Sequence, residues 1–110
     1  MLTTTKNFYE VFFMKKIFIT STKRFPTEHK TESGHDNVIT RTRWTFSNGV
    51  SVSIIRCIFR YSATNESKVI SITPIGGFNK SYLEVSQALR AARKAALQTF
   101  GYSWNINIEL

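Results

Sequence analysis

Apolar and polar residues alternate on either side of the dipeptide Asn48-Gly49. Before it, Val38 to Phe46 is rich in β-branched and aromatic residues. After it, the same pattern runs from Val50 to about Tyr61. A period of two predicts strands, and Asn-Gly between two such runs predicts a hairpin turn, because it tolerates positive φ. A polar stretch, Ser62 to Ser67, leads to a third predicted strand over Lys68 to Thr73, closed by Pro74 and Gly76-Gly77. The period then changes. Val85, Leu89, Ala92, Ala96 and Phe100 recur at three- and four-residue steps, which predicts a helix. Ser81-Tyr82-Leu83-Glu84 has the spacing of a capping box at its start, and Gly101 is its expected stop. The helix is then about 19 residues, or roughly 28 Å, long. Trp104, Ile106, Ile108 and Leu110 alternate once more and predict a last short strand.

The N-terminal third is less regular. Phe8 to Ile19 is apolar and β-rich, interrupted by Lys15 and Lys16, and predicts one or two strands. Met14-Lys15-Lys16 resembles a translation start, which makes residues 1–13 a candidate extension. Thr20 to Asn37 shows no period and predicts a long loop. The expected organisation is an N-terminal strand and flexible loop over 1–37 and a sheet-helix unit over 38–110, together one folded domain. The expected fold class is α+β: an antiparallel sheet with one long Ala-rich helix on one face, in the order β-loop-β-β-β-α-β.

Charge changes the picture. The 110 residues carry 15 Lys and Arg against 7 Asp and Glu, a net charge of +8. A basic balance favours a polyanionic partner. Residues 1–36 contribute +2 and residues 37–110 contribute +6, so the surplus sits in the predicted sheet and helix. Between Thr40 and Tyr61 there are four Arg and no acid. One Cys and two His leave no disulfide framework and no zinc-finger spacing. No apolar run reaches the ~18 residues of a membrane span, and the expected location is cytoplasmic.

Register turns this charge into a candidate site. If Asn48-Gly49 is a two-residue turn, Ser47 pairs with Val50 and the pairing proceeds outward. Val38, Trp44, Phe46, Ile55, Cys57 and Phe59 then share the face expected to meet the helix. Arg41, Arg43, Arg56 and Arg60 share the other, with Arg41 directly opposite Arg56. Like charges facing each other across strands are unfavourable, and an anion resting there would relieve them. The alternative is a solvated face that merely carries arginines, although such faces usually mix signs. Arg90, Arg93 and Lys94 form a secondary basic surface on the helix. With the aromatics turned toward the helix, duplex DNA entered by strands fits better than single strands stacked on rings.

The stretch Gly77-Phe78, Glu84-Val85, Ala88, Ala95-Ala96-Leu97 and Phe100-Gly101, following three strands, resembles the DNA-binding domain of plant ethylene-response factors. Some phage homing-type nucleases and integrase N-termini share that domain. The resemblance covers about 65 residues from Val38 onward. It implies major-groove contacts from the sheet, at positions matching Arg41, Arg43, Trp44 and Arg56. The predicted helix is about one turn longer than that family's, and the N- and C-terminal strands are additions to it. The strand-strand-strand-helix order also resembles the end of a double-stranded RNA-binding domain, without its first helix.

Catalytic patterns are scarce. His29 near Glu28 and His35 beside Asp36 lie in the predicted loop, where such neighbours are ordinarily solvated. No nucleophile elbow or phosphate loop is present. Cys57 reads as a small buried hydrophobe. The chain is therefore expected not to be an enzyme, and to need no cofactor and no metal. Two function classes follow. One is a duplex-DNA-binding protein, with RNA as the other candidate nucleic acid. The other is a small inhibitor or adaptor of the phage or mobile-element kind, anti-defence or anti-CRISPR-like, meeting an acidic host protein or a nucleoprotein. Exposed sheet edges make a homodimer an expected assembly.

Overall fold

The computed structural model describes residues 16–32, 35–76 and 79–110. Among the described residues six strands form one sheet: β1 (Ile19–Arg24), β2 (Glu28–Glu32), β3 (His35–Phe46), β4 (Ser51–Arg60), β5 (Glu66–Ile75) and β6 (Asn105–Ile108). Among the described residues one helix, α1 (Tyr82–Phe100), crosses one face. The sheet order is β1-β3-β4-β5-β6, with β2 also paired to β3. All pairings are antiparallel except β5–β6, which is parallel because α1 carries the chain back between them. The expected α+β class, with one helix on a mostly antiparallel sheet, is the observed fold.

The predicted long loop is instead an edge. β1 pairs with Thr42 to Phe46 and β2 with His35 to Ile39, so both lie along the same side of β3. Phe25 N–H still donates to Arg41 C=O at 3.1 Å, and Pro26, with no N–H to give, stands at the break. Both sides of this edge are largely exposed. Its residues therefore need no apolar alternation, and Thr, Lys, Glu and His suffice. The part of the predicted N-terminal strand before residue 16, the candidate start at Met14, and Gly77-Phe78 lie outside the described residues.

The core lies between the sheet and α1. Trp44, Phe46, Val50, Val52, Ile54, Ile70 and Ile72 meet Ala88, Leu89, Ala92 and Ala96. The small residues let the helix approach closely, as its alanine stripe predicts. Ser81 Oγ accepts from Glu84 N–H at 3.2 Å and its hydroxyl donates to Glu84 Oε1 at 3.2 Å. This is a variant of the expected box, in which the carboxylate meets the hydroxyl. Gly101 ends the helix at φ +96°, and its N–H donates to Leu97 C=O at 3.0 Å.

The hairpin register differs from the expected one by a single residue. Phe46 N–H donates to Val50 C=O and Gly49 N–H to Phe46 C=O, both at 2.9 Å. Gly49 has φ +85°. The turn therefore holds Ser47, Asn48 and Gly49, the three-residue form that ends on a left-handed glycine. Thr45 pairs with Ser51, Trp44 with Val52, Thr42 with Ile54 and Thr40 with Arg56. The reason lies beside the turn. The two-residue register would place Ser51 and Ser53 under the helix and turn Val52 and Ile54 outward. Both of the latter are 0% exposed here, and burying each side chain contributes about 1.5–3 kcal/mol. As a result Ile55, Cys57 and Phe59 face away from α1, against expectation, while Val38, Trp44 and Phe46 lie on the expected side.

Candidate nucleic-acid interface

The register splits the expected arginine strip. Arg41 and Arg43 lie on the face that α1 does not cover, opposite Ile55 and Ser53. Arg56 and Arg60 lie on the helix side, opposite Thr40 and Asp36. Arg41 and Arg56 therefore do not oppose each other. Arg60 is also matched locally, 3.9 Å from Asp36 and 3.7 Å from Glu66. Arg90, Arg93 and Lys94 are exposed on α1, as the secondary surface requires.

Among the described residues no second layer packs on the uncovered face. Its cationic end is built by β1 and β3. Lys23 pairs directly with Arg43, so a like-charge opposition exists here after all, between different residues. Arg41 follows one side-chain row along, 3.5 Å from Glu28. Both partners of that pair are substantially exposed, where such bridges hold weakly. Among the described residues Arg43 takes part in no salt bridge. Beside these cations the strands carry Thr45, Ser51, Ser53, Ser71 and Thr73. These are short hydroxyl side chains that keep the face low, and Thr45 and Ser51 hydroxyls lie 2.9 Å apart.

Farther from the turn the same face becomes apolar. Ile39, Ile55, Cys57, Phe59 and Val69 lie in adjacent rows, each half-buried. Burial pushes the Cys57 thiol above its ordinary range, with Arg41 and Lys30 opposing.

The helix side holds a second arrangement. The Trp44 indole lies parallel to the Phe100 ring, centroids 6.1 Å apart. Arg56 is stacked over Phe100 with its guanidinium carbon 4.1 Å from the centroid. Sequence reasoning found Arg56 but missed Lys23, Arg24 and the aromatic partners. The missed signal was Lys23-Arg24 at the end of a Thr-rich run, readable as an edge strand.

Among the described residues no group of three or more His, Cys, Asp or Glu side chains gathers as metal ligands. No described helix is long and apolar enough to cross a membrane. No protein-family model matches the chain, and neither a curated protein nor a solved structure was found to match it.

Proposed function

We propose that this protein binds duplex nucleic acid through the uncovered sheet face, with Lys23, Arg41 and Arg43 as its cationic contacts. One observation carries the reading: Lys23 and Arg43 are directly opposed on the face that α1 does not cover. Two cations held side by side on paired strands are destabilising alone and favourable against a phosphodiester backbone. The low Ser/Thr surface next to them lets a groove edge approach, and an arginine there has the fork geometry to read guanine. DNA is the form favoured, in a cytoplasmic setting, with no catalytic step.

The test is fluorescence anisotropy with a mixed-sequence duplex at two salt concentrations. Three phosphate contacts give a slope of log K against log salt near about −2.7. Lys23→Gln with Arg43→Gln is expected to flatten that slope by about 2 and leave the fold intact. Full binding by the double variant would remove this face from the interface. No binding by the unaltered protein at low salt would overturn the reading. It would then favour the inhibitor or adaptor class, for which the apolar row of Ile39, Ile55, Phe59 and Val69 is the supporting observation.

A further inference from the structure

The cluster at the C-terminal end of α1 plays no part in the duplex reading. The Arg56 guanidinium lies over the Phe100 ring, and its N–H groups still need acceptors. One of them finds none: Nε of Arg56 is shielded from solvent and has no hydrogen-bond partner. A buried donor on a charged group is costly to leave unmatched. The walls around it are aromatic, with Trp104 centred 5.8 Å from the guanidinium carbon and 5.9 Å from Lys68 Nζ.

Neighbouring charge deepens the mismatch. Arg24 ends β1 two strands away, paired to Thr42, which in turn pairs with Ile54. It therefore lies on the same face as Arg56, about 10 Å across the sheet and one side-chain row along. Burial first, and Arg24 second, push the Arg56 guanidinium below its ordinary value. Lys68 lies 3.7 Å from Glu66, a carboxylate that also meets Arg60. Among the described residues neither Arg24 nor Arg56 has a carboxylate within salt-bridge distance. The C-terminal dipole of α1 supplies some negative charge, yet Nε of Arg56 donates to none of its carbonyls.

We propose that Arg56 and Arg24 bind a phosphate group on the helix side of the sheet, beside Phe100 and Trp104. Two guanidinium forks suit a tetrahedral oxyanion that can accept from both, and the aromatic walls strengthen the attraction by excluding water. The site is on the opposite face from the duplex interface and does not depend on it.

Inorganic phosphate is titrated into the full chain by calorimetry and tryptophan fluorescence, against chloride at equal ionic strength. A phosphorus-bearing backbone is supplied in parallel as the mixed duplex. Arg56→Gln is expected to weaken phosphate binding at least tenfold and to abolish the phosphate-induced rise in Tm. Arg24→Gln, at an exposed position, is expected to weaken it several-fold, and it carries the test if Arg56→Gln does not fold. Phosphate binding with this dependence identifies a free phosphate group as the ligand. Dependence seen with the duplex alone identifies a backbone phosphodiester. Binding of both probes that neither variant alters, or no binding of either probe, overturns the proposal. The Lys23 and Arg43 variants report separately on the uncovered face.

Discussion

Ile54 and Ile55 are adjacent, chemically identical and assigned to opposite faces, so truncating each in turn tests the register directly. Ile54 is fully buried between Thr42 and Ile72, under the helix. Ile54→Ala removes three carbons, about 2.4 kcal/mol of transfer free energy at 0.8 per carbon. The cavity left beneath Ala88 and Ala92 adds to it, because a helix already held close by alanines has little room to collapse further. The expected loss is about 3–4 kcal/mol, inside the range for such truncations. Ile55 is half-buried on the uncovered face, and Ile55→Ala is expected to cost about 1 kcal/mol. Urea denaturation followed by circular dichroism and tryptophan fluorescence measures both. The midpoint should fall steeply for Ile54→Ala, with unchanged m. Its Tm should drop by roughly 10–20 °C. Equal losses, or a larger loss at Ile55, would refute the three-residue turn and restore the two-residue register, with Arg41 and Arg56 on one face.

Three further outcomes follow from local geometry. Ser81→Ala removes the acceptor for Glu84 N–H and should cost about 1 kcal/mol in denaturant titration. Asn48→Ala removes two ties at once, the Oδ1 acceptor for Val50 N–H at 3.1 Å and the Nδ2 donor to Glu84 C=O at 2.9 Å. It should cost about 1–2 kcal/mol, and less when Ser81 is already Ala if the turn and the helix start act together. Cys57 has its thiol pushed up by burial. The folded chain therefore holds that proton more tightly than the unfolded chain, so stability falls as pH rises through and above the ordinary thiol range. Native Cys57 should also react with iodoacetamide at mildly alkaline pH more slowly than the unfolded chain.

The helix was legible in full because every local signal agreed: a capping serine, an apolar stripe of one period, and a terminal glycine. The hairpin was legible as an element and ambiguous in register. Asn-Gly supports a two-residue turn with both residues at positive φ, and Ser-Asn-Gly supports a three-residue turn with glycine alone there. The residues that decide between them are Val50, Ser51, Val52, Ser53 and Ile54, whose alternation next to the turn favours burying the even positions. Ile55, Cys57 and Phe59 pulled the other way. They lie toward the far end of β4, where apolar residues occur on both faces. β1 and β2 were illegible for a different reason. An edge strand exposed on both sides has no buried face to impose a period, so its sequence resembles a loop.

This one-residue difference also decides the electrostatics. In a sheet, neighbouring residues point to opposite faces, so moving one strand by one position against its neighbour transfers its arginines wholesale. A single four-arginine strip becomes a pair of smaller clusters, back to back. Lys23 and Arg24 are consecutive on β1, and they supply one cation to each: Lys23 beside Arg43, Arg24 toward Arg56. The positive charge therefore runs around the β1 edge and does not lie flat across the sheet. A rigid flat partner can engage one cluster at a time. A polyanion that follows the edge can reach both, through a strand whose exposed Thr and Ser side chains offer it hydroxyl donors and no acid until Glu28.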